Sequence, residues 1–307
     1  MSPVNVPAFA YRPASSLGEA CRLLAELGSE AKVLAGGTDL LVKMKQRRLT
    51  PSYLVDLKGI PGLDYIDYVE GEGLRIGALA TIESVKRSPL VRKRYPLLHQ
   101  AAAYMATVAI RNRATLLGNI CNGSPSAEMA PSLIALDAQV RIVGTAGERT
   151  IPVESFFTGP GSTVLASDEI AAEIMVPEPP SGSAGVYEKH SLRRMDVAMV
   201  GVAALVVPKP GADGGAGADG GAGACGDIKI VLSAVAPTPI RAGKAEHILR
   251  GRVPTEDAIG EAARAAAAES RPITDIRGSA ESRRQLVETL TNRVIHQALR
   301  AAKLGVG

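Results

Sequence analysis

The chain has 307 residues, of which 46% are hydrophobic and 21% charged, with no Trp, three Phe and seven Tyr. That length exceeds one small core and points to a soluble globular protein of two or more domains, filled by aliphatic side chains and Ala. The net charge of +4 comes from 35 basic and 31 acidic residues, and with no long Lys/Arg run and no aromatics between bases, a nucleic-acid patch is excluded.

In chain order, the segment 16–27 predicts a helix. Ser16 stands three residues before Glu19 as a capping box, Leu17, Cys21, Leu24 and Leu27 share one face, and Gly28 stops it. "AKVLAGG" (31–37) predicts a strand ending in glycines and "YLVDL" (53–57) another, so the chain opens with a small α/β lobe. The basic run "KMKQRR" (43–48) reads as a solvated face. A strand is expected at 74–79, a short helix capped by Thr81 at 81–89, and a longer helix at 97–106. "TLLGNICNGSPSAEMAP" (115–131) reads as poor helix and poor strand, an irregular loop. A helical turn and a strand follow over 132–144, then a strand near 169–176.

The Pro/Gly/Ser-rich stretch 176–185 predicts a domain boundary. Buried strands are expected at 198–207 and 228–236, joined by "GADGGAGADGGAGACG" (211–226), whose composition suits an elongated hairpin loop. Two helices close the chain, 255–270 and 280–303.

Cys21, Cys121 and Cys225 are scattered, with no CxxC, so neither a zinc nor an iron–sulfur site is signalled, and the cytoplasm is the expected compartment. His99, His190, His247 and His296 show no ligand spacing, and no metal site is expected. The N-terminal residues lack a basic-then-apolar leader pattern, and no run of 18 apolar residues occurs.

Two loops carry candidate chemistry. In "VLAGGTDLL" (33–41), glycines after a strand let successive N–H groups converge on an anion, with Thr38 adding a hydroxyl; a plain tight turn fits the same letters. In 115–131, Thr115, Gly118, Asn119, Asn122 and Ser124 offer hydroxyl, amide and backbone groups, and Glu128 a carboxylate for a sugar hydroxyl; a loop that satisfies its own backbone fits equally. Two such nests in one lobe suit a diphosphate. This is not GxGxxG, and only Asp56 stands near the place of a ribose-binding acid, so a Rossmann dehydrogenase is disfavoured.

"KVLAGGTDLLVKMK" and "TLLGNICNGSPSAEMAPSLIALDA", with later blocks at 156–177, 187–203 and 273–286, resemble the FAD-binding medium subunit of the molybdenum hydroxylases. That family includes the medium chains of bacterial xanthine dehydrogenase and aerobic carbon monoxide dehydrogenase. The resemblance implies an α+β fold: a two-lobed FAD-binding domain of the vanillyl-alcohol-oxidase/murein-reductase type, then a smaller domain of antiparallel sheet plus helical bundle. The domains would be 1–178, with lobes 1–58 and 59–178, and 179–307, with the Gly-rich loop at 210–226. Lys32, Val33, Leu34, Ala35, Gly36, Gly37, Thr38, Asp39 and Leu40 would wrap the FAD diphosphate. Thr115, Gly118, Asn119, Asn122 and Ser124 would contact the diphosphate and the adjoining flavin chain, and Glu128 a ribose hydroxyl. Leu165 would approach the adenine and Lys189 the isoalloxazine.

The chain departs from the family pattern at Leu117, where many members have Gly, and at Glu128, where Asp is usual. It lacks the four-cysteine loop of the aryl-CoA reductase branch. The implied function is electron transfer within a heterotrimer, from a small [2Fe–2S] subunit through FAD to NAD+ or another acceptor. A large subunit would hold molybdopterin and choose the substrate; the resemblance of 119–131 leans toward the xanthine and N-heterocycle or aromatic branches over the carbon monoxide branch. The alternatives are a stand-alone FAD-dependent oxidase or reductase, and a scaffold whose glycine loops are only turns.

Overall fold

The computed structural model describes residues 6–209 and 223–307. The chain opens with strand β1 (Ala10–Pro13), helix α1 (Leu17–Leu27), β2 (Ala31–Leu34), α2 (Leu40–Lys45) and β3 (Tyr53–Asp56). Both outer strands run parallel to β3 in the order β1-β3-β2, as strand-helix-strand crossovers require. Ser16 Oγ accepts from the Glu19 N–H at 3.1 Å, so the predicted cap forms. The Glu19 carboxylate, however, turns to the Ser15 N–H at 2.7 Å, which shifts the reciprocal half of the box by one residue.

Next come β4 (Ile66–Val69) and β5 (Gly73–Gly77), then six helices: α3 (Ile82–Arg87), α4 (Pro89–Arg94), α5 (Pro96–Tyr104), α6 (Val108–Arg111), α7 (Leu116–Cys121) and α8 (Met129–Ala135). Strands β6 (Gln139–Gly144) and β7 (Gly147–Pro152), the small hairpin β8 (Phe157–Gly159) and β9 (Ser162–Thr163), and β10 (Ile170–Val176) complete this lobe. Its main sheet is antiparallel in the order β4-β5-β10-β6-β7. The segment 115–131 departs from expectation. Thr115 Oγ1 accepts from the Gly118 N–H at 3.0 Å and starts a full turn and a half of helix, and a second helix begins at Met129. Only 122–128 stays irregular, because Gly123 adopts φ +63° and Pro125 breaks the run.

The last part is a sheet β11 (Ala184–His190), β12 (Val200–Pro208), β13 (Cys225–Ser233) and β14 (Ile240–Arg241), in that order, followed by α9 (Gly243–Leu249), α10 (Glu256–Glu269) and α11 (Ala280–Ala301). The glycine-rich connection read as a hairpin loop lies, over 210–222, outside the described residues; Lys209 N–H and Ala224 C=O pair across its base at 3.1 Å.

Strand β12 explains how the parts join. Ala203 and Leu205 face a core shared with α5 and α8, while Val200, Val202, Ala204 and Val206 face the terminal helices. A strand buried on both faces reads as an unbroken apolar run, as 200–207 does. The sheet is thus a wall common to the second lobe and the helical bundle. Side-chain and backbone bonds fix it there: Gln100 Oε1 accepts from the Tyr187 N–H at 2.9 Å, and Pro125 C=O from the Ala234 N–H at 2.7 Å.

A cavity between the two N-terminal lobes

The two loops expected in one lobe lie one in each: the glycine loop after β2 and the segment around α7 meet across one cavity of about 640 Å³. Its walls from the first lobe include Lys32, Val33, Ala35, Gly36, Gly37, Thr38, Asp39 and Leu40, and from the second Thr115, Gly118, Asn119, Asn122 and Leu165. Thirteen of the seventeen residues singled out by sequence therefore line one space. Leu34, Ser124, Glu128 and Lys189 stand off its walls.

The loops touch backbone to backbone. A methyl group on Gly36 would lie 2.0 Å from the Arg113 carbonyl oxygen, so no side chain fits between them. Gly37 turns the chain at φ +74°, a conformation that favours Gly, and α2 starts at once. The second wall is hung on the first helices of its lobe. Ala114 C=O accepts from the Ile82 N–H at 2.8 Å, and Ala80 C=O from the Leu116 N–H at 3.1 Å. Arg111, buried, pairs with Glu83 at 2.7 Å and donates to the Met105 and Ala106 carbonyls at 2.9 Å each. That bond lowers the Glu83 carboxyl below its usual pKa and holds the stretch carrying Met105 and Ala114, both cavity walls.

The polar groups of the second segment already have partners. Asn119 Oδ1 accepts from the Met129 N–H at 3.3 Å, and Ser124 Oγ from the Ser126 N–H at 3.2 Å. Asn122 Oδ1 accepts from Lys43 Nζ at 2.6 Å, a bond across the cavity. Leu117 lies inside α7 and is not among the residues of positive φ; it needs no glycine and turns its side chain into the core, 2% exposed. Glu128, buried at the start of α8, pairs with Lys189 Nζ at 3.0 Å, and that ammonium also donates to Asp196 C=O at 2.8 Å. Burial raises the Glu128 carboxyl pKa, with Lys189 pulling it down. Asp39 opens on the cavity; burial raises its pKa too, opposed by Lys43. Burial pushes the Cys121 thiol to about 12, so this wall residue behaves as a small apolar group.

Several walls escaped the sequence reading: Lys43, Arg48, Met105, Ala114, Gly161 and Glu169 among them. Lys43 and Arg48 belong to the basic run 43–48, which faces the cavity in part rather than solvent alone; the sequence signal for this is that the run follows the glycine turn closely. Glu169 is paired with Arg149 at 2.7 Å.

A cavity between two α+β lobes, walled by glycine-loop backbone and cations rather than by GxGxxG, defines a dinucleotide-binding protein of the non-Rossmann class. Residues 7–179 match the family of the FAD binding domain in molybdopterin dehydrogenase, and residues 185–298 the CO dehydrogenase flavoprotein C-terminal domain. The chain belongs to this family of FAD-binding molybdopterin dehydrogenase subunits.

It is 36% identical to the carbon monoxide dehydrogenase medium chain of Hydrogenophaga pseudoflava over 95% of its own length and 97% of that chain. It is 34% identical to the putative xanthine dehydrogenase FAD-binding subunit of Escherichia coli, over 95% and 96%. Among solved structures, carbon monoxide dehydrogenase from Hydrogenophaga pseudoflava superposes with a TM-score of 0.90 at 35% identity, covering 98% of this chain and 100% of that one. Quinoline 2-oxidoreductase from Pseudomonas putida 86 gives 0.88 at 32% identity, covering 97% and 99%. These identities span carbon monoxide, xanthine and quinoline enzymes without favouring the N-heterocycle branch.

The walls fit FAD. The volume is that of a large-ligand site, a glycine turn borders it, and its charged lining holds Lys32, Lys43 and Arg48 against Asp39 and Glu169. Among the described residues no helix is long and apolar enough to cross a membrane.

Proposed function

We propose that this chain is the flavin-bearing, electron-transferring medium subunit of a cytoplasmic molybdenum hydroxylase. Its partners are a large molybdopterin subunit and a small [2Fe–2S] subunit. When bound, FAD supplies the redox chemistry, receiving electrons from the iron–sulfur partner and passing them to NAD+ or another acceptor. The protein's own part is to hold and orient the dinucleotide. The thirteen predicted residues on the cavity wall, with Ser124 just behind Asn122, support contacts to diphosphate and flavin chain, and Leu165 supports the adenine end. Leu34 ends β2 just before the loop, its C=O accepting from the Leu57 N–H at 3.0 Å.

Lys189 is assigned to the isoalloxazine side, where a positive charge favours reduced flavin. Glu128 serves that lysine as its counter-ion in the same reading. The FAD-binding domain is taken as 1–178, with lobes 1–58 and 59–178, and the remainder as 179–307.

The observation that carries the reading is the convergence of both sequence loops on one cavity, in a chain aligned end to end with medium subunits. The purified chain should be yellow and hold about one FAD. A folded, colourless chain that takes up no FAD on titration contradicts it. In the purified complex, molybdenum and iron should co-elute with this chain, and NAD+ should reoxidise the reduced flavin without oxygen. Flavin that stays reduced with NAD+ removes that acceptor, and turnover by this chain alone favours the stand-alone oxidase or reductase.

A further inference from the structure

Lys43 sits in a short basic run, yet its side chain leaves that run and crosses the cavity. It lies on the last turn of α2, the helix that begins where the glycine loop ends. Its Nζ donates to Asn122 Oδ1, the residue closing α7 on the opposite wall, at 2.6 Å. The two residues are 79 apart in sequence, and this bond joins the two lobes directly across the cavity.

An ammonium carries three protons, and Asn122 takes one. The others stay available beside a loop whose one acid, Asp39, opens on the same space. A carboxylate there repels any phosphate bound by the glycine turn. Lys43 is close enough to act on Asp39 electrostatically, and it offsets that repulsion. The other acid of the cavity, Glu169, is satisfied by Arg149. With Asp39 compensated, Lys32 and Arg48 leave the lining positive, the sign that suits a diphosphate.

We infer that Lys43 is a positioning residue for the cofactor's diphosphate. It pins Asn122 across the cavity, offsets Asp39, and turns its remaining protons to the anion. This rests on the FAD reading above and adds to the cradle a cation that bridges its two walls, beside Lys32 and Arg48 on the lining. A neutral side chain of similar length would leave the Asn122 amide untethered and Asp39 uncompensated.

The test is a titration of the full chain, stripped of flavin, with FAD and with riboflavin, which lacks the diphosphate. Lys43→Met should lose about tenfold or more in FAD affinity at low salt, with a smaller loss at high salt, because screening weakens the same charge in the parent. Riboflavin affinity should change less than about twofold. Lys43→Arg should recover most of the FAD affinity, since it restores the charge. The melting temperature of each variant checks folding. Equal FAD affinity of Lys43→Met and the parent at both salts overturns the inference, as does an equal loss of riboflavin and FAD. A parent chain that binds neither flavin overturns the FAD reading itself, which the parent titration alone reveals.

Discussion

Gly36 marks a place where a single methyl group has nowhere to go. The nearest atoms to it would be backbone, the Arg113 carbonyl at 2.0 and 2.8 Å and Ala114 Cα at 3.1 Å, and backbone cannot swing aside as a side-chain tip does. Gly36→Ala should therefore lower the melting temperature and the FAD content together; unchanged melting with full flavin would refute that contact. Thr115 is a helix cap as well as a cavity wall. Thr115→Ala should cost about 1 kcal/mol in urea unfolding, with Thr115→Ser recovering most of it. Glu128 is a sharper case. Glu128→Gln strands the Lys189 ammonium, 1% exposed, without a counter-charge. Breaking such a pair costs about 3–5 kcal/mol, and a variant as stable as the parent in denaturant would disprove the buried pairing. The letters that departed from the family pattern thus find physical places. Leu117 is ordinary helix packed into the core, and the longer Glu128 reaches a lysine on another sheet.

At the scale of elements, the long periodic segments were legible. Helices α1, α10 and α11 and strands β3, β10, β12 and β13 lie where spacing and burial pattern put them, within a few residues. What the sequence hid was short or conditional. Helices α4, α6 and α7 run only 6, 4 and 6 residues, too short for a helical period to register. Each is started by a Ser or Thr cap and held by tertiary contact. The cavity was half legible: glycines and polar residues mark the loops, but which apolar residues oppose them, such as Met105 and Ala114, depends on how the lobes close.

The loop before α11 should make stability depend on pH. Asp275 accepts from Arg277 at 2.7 Å and from Arg283, buried on α11, at 2.6 Å. Those bonds, Arg277's first, hold its carboxyl far below the usual range. A depressed carboxylate stabilises the fold above its unfolded pKa of about 4 and loses that contribution as pH falls toward the lower folded value. The urea midpoint should drop from neutral pH toward pH about 3, and Asp275→Asn should start lower and fall less. A parallel fall in both proteins would contradict the tether.

For the whole molecule, the shared sheet sets what can stand alone. Tyr187, Ala203, Leu205 and Val231 belong to the same buried core as Leu97, Leu98 and Leu133 of the second lobe. A fragment ending at residue 178 would uncover that face of α5 and α8. It should bind a hydrophobic dye strongly and lack a cooperative melting transition, whereas the full chain melts in one step; a fragment that melts cooperatively and binds no dye would show the wall to be dispensable.

The wall also has a position in time. A growing chain emerges from its amino end, so both cavity loops are out before the strands that back α5 and α8 have been made. Strand β13, ending at Ser233, is the last to pair with β12, and the buried bond from Lys189 to Glu128 forms only once β11 has docked. Cofactor retention is therefore expected only after β11 to β13 have been made and have docked. Truncated messages ending before β13 should yield chains that retain no flavin, and messages extending past α11 should yield chains that do.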